Sequence, residues 1–433
     1  MRVRANGLVV ATVIGSLALL AGCGSAQDDD ARATPDKPVQ KAAEAPASPQ
    51  LPIPRGKGSE TDHDFNGDGH RDLLLNDLVK AQSHADDAGL GIVYGGPRGL
   101  TPGARQLLTP ERHAARTQNQ LPALFDAEAV CDLDGDGFTD LVVSTDPPYD
   151  GQGQPPVPLQ LLFGSPKGLT GKAAKLTIPT RARAGNDWPD QPVCGDFDGD
   201  GAQDLVVHAS EQQLSYLRGP FTRKGAPRAA TAPLPAPGNL PTGPAADVNR
   251  DGYDDLLVRT AEGAAPATLV LGTPTGPTGT AVALPSGTDF ALGRFGKGAA
   301  LDAAVGTETG TALRYDLPTG TRATLPTAPG SGLDSADFDG DGYDDLVSVS
   351  ADGTELRVSP GGSAGPDAVT VTPAARGTSQ VLTAGDFDGD GRADLVVRTY
   401  RGDTADTVAL YPGTERGLVA GSPVLTFSSA EFL

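Results

Sequence analysis

The 433-residue sequence predicts an all-β fold of seven repeated four-stranded antiparallel sheets, set radially as blades. Three observations predict it. An acidic ten-residue frame recurs along the chain. Short apolar, β-branched runs bounded by Gly or Pro follow each copy, with a turn signal every 8–12 residues. Finally, 57 glycines and 38 prolines disfavour long helices. The formal net charge of −21 argues against nucleic acid as a partner, because a phosphate binder needs clustered Lys and Arg.

In chain order, the first element is a processing signal. Arg2 and Arg4 form a positive n-region, and Gly7 to Leu20 is an apolar stretch too short for a confident span. It ends in Leu20-Ala21-Gly22-Cys23, which resembles the lipobox of bacterial lipoproteins. That resemblance implies a signal peptide over 1–22, lipidation of Cys23 and an extracytoplasmic protein whose lipid anchor is its contact with the cell membrane. Residues 23–60 are rich in Ala, Pro, Asp and Lys and read as a solvated, disordered tether. The repeat domain is placed at 61–433.

The acidic frame begins at Asp64, Asp132, Asp196, Asp247, Asp337 and Asp386. A degenerate copy spans Gly293 to Asp302. Counting Arg294 for that copy, the steps are 68, 64, 51, 47, 43 and 49 residues, which makes seven repeats. A second signature, a small Gly-rich turn, recurs as Tyr94 to Leu100, Phe163 to Leu169, Leu271 to Gly276 and Tyr411 to Leu418. These two signatures resemble the FG-GAP or VCBS repeats that form the N-terminal β-propeller of integrin alpha chains. The resemblance covers roughly residues 60–433 and implies a seven-bladed β-propeller with calcium loops between first and second strands.

The loops themselves point to a hard cation. Asp-x-Asp-x-Asp-Gly puts side-chain oxygens at positions 1, 3 and 5 of a tight loop, with Gly at the sharp turn. The three are Asp64, Asn66 and Asp68; Asp132, Asp134 and Asp136; Asp196, Asp198 and Asp200; Asp247, Asn249 and Asp251; Asp337, Asp339 and Asp341; Asp386, Asp388 and Asp390. Position 9 supplies a fourth oxygen donor: Asp72, Asp140, Asp204, Asp255, Asp345 and Asp394. Position 7 is expected to give its backbone carbonyl, which suits its varied identity: His70, Phe138, Ala202, Tyr253, Tyr343 and Arg392. Position 12 is never the Glu of an EF-hand, and Leu at position 10 opens a strand. Converging carboxylates repel without a cation, so about six mainly structural Ca²⁺ sites are expected. The six loops hold 22 of the ligand aspartates, which accounts for most of the acidity. In the degenerate copy, Arg294 and Lys297 are expected at ligand positions 1 and 5, where their charge would replace the ion.

Cys131 and Cys194 fall on the innermost strands of neighbouring blades. Export permits a disulfide between them, and two buried thiols is the alternative. Enzyme signals are weak, so the chain is expected not to be an enzyme. Gly361-Gly-Ser363-Ala-Gly365 matches a nucleophile elbow but aligns with the repeat's own Gly turn. Arg401-Gly402-Asp403 reads as a chance tripeptide.

The longer spacings of blades one to three come from insertions on the face opposite the acidic loops. Pro110 to Asp126 has room for a short helix. His113, Tyr149, Asp187 and Trp188 lie in these insertions and form a candidate ligand face; the alternative is tolerated loop growth on a rigid scaffold. The last residues resemble the first strand of another blade and would close the ring against blade one, unless they are a frayed tail. The expected function is a calcium-stabilised, surface-anchored, monomeric binding or adhesion module for an extracellular protein or polymer. A carbohydrate-binding propeller and an accessory subunit of an extracellular enzyme are the alternatives.

Overall fold

The computed structural model describes residues 49–79, 87–183, 185, 188–325, 330–362, 366–401 and 406–432. Cys23 and the signal lie outside them, as do Asp187, Ser363, Gly402 and Asp403. Residues 47–433 form one compact unit, an all-β propeller of seven sheets.

Blade two shows the common plan. Its strands are Asp126–Cys131, Asp140–Ser144, Leu159–Leu162 and Ala174–Lys175, each antiparallel to the next. The acidic loop joins the first strand to the second. Blades four to seven repeat this order; their second strands are Asp255–Arg259, Asp302–Thr307, Asp345–Ser350 and Asp394–Tyr400. In blade three, whose second strand is Asp204–His208, the outermost position is split between Ala229–Ala230 and Leu234–Pro235. Among the described residues the α-helix is confined to Pro110–His113, inside the insertion where a short helix is expected. Thr109 caps it.

The second strands read as continuous apolar runs because both of their faces are covered. In blade three, Leu205 and Val207 pack with Leu133, Val142 and Leu161 of blade two. Val206, between them, points the other way and packs with Leu256, Val258 and Val270 of blade four. A strand's period of two thus serves two interfaces, and a sheet buried on both sides loses the polar alternation of a one-sided one. Each such fully buried Val or Leu contributes about 1.5–3 kcal/mol. The residue after the first Asp of each loop is a further wedge: Phe65, Leu133, Phe197, Val248, Phe338 and Phe387 are all buried.

Blade one departs from the plan. Its sheet has three strands, Leu73–Val79, Asp87–Val93 and Arg105–Leu108, and among the described residues no strand precedes Asp64. The chain's end does not supply the missing one. Leu425–Ser428 is the fourth strand of blade seven, and Ser429–Phe432 is a 3-10 turn. The expectation of a closing first strand is therefore corrected. The ring closes through side chains instead. Phe432 packs with Leu73 and Leu78, and Arg105 Nε donates to the Glu431 carbonyl at 2.9 Å. Arg398 of blade seven, paired with Asp406, donates to the carbonyls of Asn76 (2.8 Å) and Asp77 (3.0 Å) in blade one.

Residues 49–60, expected to belong to the tether, lie against the blades. Leu51 N–H donates to Gly103 at 2.8 Å, Gly56 N–H to Asn66 at 3.0 Å, and Ser59 N–H to Gly137 at 2.7 Å. The docked part of the chain thus starts before residue 61. A Gly- and Pro-rich segment that binds through backbone groups carries no apolar pattern to announce it.

Candidate metal centres

Each acidic loop is folded by its own carboxylates. The first Asp accepts backbone N–H groups from positions 5 and 6. With loops numbered by blade, in loop six Asp337 takes Asp341 at 3.1 Å and Gly342 at 2.8 Å; in loop four Asp247 takes Asp251 at 3.0 Å and Gly252 at 2.9 Å. The fifth-position Asp accepts the position-7 N–H, as Asp341 does from Tyr343 at 2.8 Å. Glycines at positions 4 and 6 hold φ near +80°, such as Gly340 (φ 76°) and Gly342 (φ 84°). That region strains any residue with a Cβ.

The ninth-position Asp does something the spacing did not reveal. One of its oxygens accepts the N–H of position 2, except in blade three, where Asp204 accepts the Tyr216 hydroxyl instead; the other accepts the N–H of the glycine that opens the turn after the third strand. For Asp345 these are Phe338 at 3.0 Å and Gly361 at 2.9 Å; for Asp72 they are Phe65 at 2.9 Å and Gly95 at 2.8 Å. Asp140 takes Leu133 and Gly164 in the same way, and Asp394 takes Phe387 and Gly413. The two recurring signatures of the sequence are the two ends of this clamp. Degenerate blade five has a shifted version of it: Asp302 accepts the N–H of Gly296, at position 3, and of Asp316, both at 2.6 Å.

Four loops gather three carboxylates whose oxygens lie within 4.8 Å of one another: Asp132, Asp134 and Asp136; Asp196, Asp198 and Asp204; Asp337, Asp339 and Asp345; Asp386, Asp388 and Asp394. Loops one and four put Asn66 and Asn249 at position 3, and each amide donates to the position-5 Asp. The electrostatics match a cation site. Burial, with the neighbouring loop carboxylates adding to it, pushes Asp72 and Asp140 up to about 8. The same causes push Asp204, Asp255, Asp345 and Asp394 up to about 7. Burial and then Asp136 push Asp134 up to about 6. In addition, Asp134 Oδ1 and Asp198 Oδ1 are buried with no hydrogen-bond partner. Orphaned, crowded carboxylate oxygens are the donor set of a hard divalent ion, so these loops fit a metal.

Blade five differs from what the sequence suggests. Counting back from Asp302 without gaps puts Arg294 at position 1, Lys297 at position 4 and Gly298 at position 5. Arg294 does not fill its own loop. Its guanidinium lies 4.9 Å from the centre of the Tyr343 ring and donates to Gly342 O at 3.4 Å, in loop six. The expected replacement of an ion by Arg294 and Lys297 is therefore corrected.

Cys131 and Cys194 form a disulfide, with Cα atoms 6.4 Å apart, joining the innermost strands of blades two and three. It lines an axial cleft of about 1000 Å³, walled by the first strands of blades two to four and by residues 59–63. Of the candidate ligand face, Tyr149 and Trp188 come together, ring centres 6.4 Å apart and tilted by 55°. Beside them His208 Nδ1 lies 3.0 Å from Asp190 Oδ1 and 3.2 Å from the Trp188 carbonyl. His113 does not share this contact: its Nδ1 accepts Thr109 N–H at 3.0 Å and locks the short helix.

An FG-GAP-like repeat family matches residues 132–207 and 337–397, and an FG-GAP repeat family matches residues 379–419. No curated protein matches the chain in sequence. The fold is similar to that of a lectin from Agrocybe aegerita that recognises non-reducing terminal N-acetylglucosamine. That likeness has 13% identity and a TM-score of 0.54, over 83% of this chain and 90% of the lectin. A further solved structure with some likeness is the exotype rhamnogalacturonan lyase YesX, with 18% identity and a TM-score of 0.45, over 88% of this chain and 68% of the lyase. At these identities the likeness speaks for the fold alone.

Proposed function

The chain is an FG-GAP repeat protein folded as a seven-bladed propeller, and from that premise we propose that it is a calcium-stabilised binding module held at the bacterial surface by a lipid on Cys23. The observation that carries the calcium part is the buried, crowded carboxylate set of the loops. Asp132, Asp134, Asp136 and Asp140 would hold one ion, and the corresponding residues of the other five loops would hold the rest. A bound Ca²⁺ supplies neutralising charge to groups that otherwise repel. The chain's own part is to hold those oxygens in place through the backbone N–H groups of each loop and the Gly turn. The ions are structural, and the chain acts by binding rather than by catalysis.

The partner is an extracellular protein or polymer, met on the face built by the insertions of blades one to three. A carbohydrate partner is the second reading. The Tyr149–Trp188 pair supports it, since aromatic faces pack against sugars while flanking polar groups orient them. The test is a glycan and secreted-protein binding screen with the purified protein, in calcium and in chelator. Calcium-dependent binding lost on replacing Tyr149 and Trp188 together by Ala supports the face. Binding that survives both replacements moves the site elsewhere on the propeller.

A further inference from the structure

The six acidic loops are not equivalent. Loops two and three receive arginines from a single segment of blade three, residues 218–228. Arg223 Nε lies 2.7 Å from Asp134 Oδ2, and its other arm pairs with Asp136. Its guanidinium is stacked on Phe163 at 5.5 Å from the ring centre. A shelf of this kind sets the side chain in place before it meets the carboxylates. In loop three, Arg218 pairs with Asp198, and Arg228 pairs with Asp200.

Among the described residues, the carboxylates of loops one, four and six form no ion pair with Lys or Arg. In loop seven, Asp390 pairs only with Arg392 of the same loop. The arginines of loops two and three leave room for an ion. Asp134 gives Oδ2 to Arg223 and keeps a buried, unpartnered Oδ1, and Asp198 keeps its Oδ1 in the same way. Both loops flank the only disulfide among the described residues.

We propose that Arg218, Arg223 and Arg228 are resident counter-cations that hold the junction of blades two and three when calcium is withdrawn. Each neutralises part of a loop that calcium would otherwise neutralise alone. The arginines stabilise the ion-free loops more than the loaded ones, because a nearby positive charge also repels the ion. Calcium dependence is therefore graded around the ring: weakest at blades two and three, and stronger where no Lys or Arg pairs with the loop carboxylates, as at blade six. This inference rests on the calcium reading above.

The test is Arg223→Gln in the full chain, with Arg223→Lys as the charge-keeping control. Thermal midpoints are measured in saturating calcium and in chelator. The expected result is a midpoint about 1–3 °C lower in chelator for the Gln variant, with little change in calcium and recovery in the Lys variant. Equal lowering in both conditions, or none, overturns the proposal. A wild-type midpoint that ignores calcium refutes the underlying calcium reading instead. Hydrogen exchange in chelator gives an independent readout. Protection should persist in Asp140–Ser144 and Asp204–His208 of the wild type and fall in Asp345–Ser350; uniform loss around the ring also overturns the proposal.

Discussion

Replacing Asp345 and Asp302 separately by Asn distinguishes the two jobs of the ninth-position carboxylate. Asp345 is buried and accepts two backbone N–H groups, from Phe338 and Gly361. Asn keeps one acceptor and turns an NH₂ toward the other donor. One charge-assisted hydrogen bond, about 1.5–3 kcal/mol, is lost. A buried N–H left without a partner costs about 1–3 kcal/mol more. Asp302 likewise accepts two backbone N–H groups, from Gly296 and Asp316, so its clamp loses the same amount, about 2.5–6 kcal/mol in total. The difference lies around them. Asp345 sits with Asp337 and Asp339 in a cluster that fits a cation, whereas the blade-five loop has Gly296 and Gly298 at ligand positions 3 and 5. In chelator, Asn at 345 also relieves repulsion from those two neighbours. In calcium at ten times the dissociation constant, it forfeits a further ~1.4 kcal/mol of ligand-linked stability. Urea unfolding followed by circular dichroism, with and without calcium, reads both numbers. Asp302→Asn should cost the same in the two conditions, and Asp345→Asn should cost more in calcium by at least ~1.4 kcal/mol. Equal calcium dependence in the two variants would refute the assignment of position 9 as both clamp and ligand.

Three further outcomes follow from the geometry. Replacing Cys131 and Cys194 together by Ala should cost about 4 kcal/mol, the chain entropy of a bridge closing a 63-residue separation, and an unchanged urea midpoint would contradict it. In chelator, stability should rise as pH falls from about 8 toward 5. The folded-state pKa values of Asp72, Asp140, Asp204, Asp255, Asp345 and Asp394 are raised to about 7–8, above the unfolded value near 4, so protons stabilise the fold at low pH and that contribution is lost as pH rises through 7–8. Saturating calcium should flatten this slope, and a chelated protein less stable at pH 5 than at pH 8 would count against it. Deleting residues 429–433 removes buried Phe432 and the Ser429 acceptor for Asp406 N–H, which should cost about 3 kcal/mol in a melt if ring closure is by side-chain docking.

The repeat frame was legible because its code is local. Asp, Gly and the following Leu-Val-Val lie within a dozen residues, and each type answers one need: oxygen donors, a positive φ, and a strand buried on both faces. The Gly turn was legible as a motif, but its purpose was not. Gly361 lies sixteen residues beyond Asp345, and nothing in the intervening strand says that its N–H is reserved for that carboxylate.

Features that join blades left almost no trace in sequence. Arg223 meets Asp134 across 89 residues, and the partner of Arg398 in blade one is a pair of backbone carbonyls. The segment before residue 61 docks by hydrogen bonds from Gly56, Lys57 and Ser59, which a reader of composition takes for a tether. The segment before Asp64 carries little apolar pattern, as fits the absent first strand of blade one, but nothing local in the sequence names what seals the ring instead. The resemblance of the C-terminal residues to a first strand ended at composition, while the actual seal is one Phe and two arginines.

The most direct measurement is equilibrium dialysis of the purified protein against calcium, combined with unfolding in calcium and in chelator. Six structural sites predict close to six ions per chain and a midpoint that rises with calcium. A chain that binds no calcium, and unfolds at the same midpoint with and without chelator, would contradict the claim that the acidic loops are metal centres.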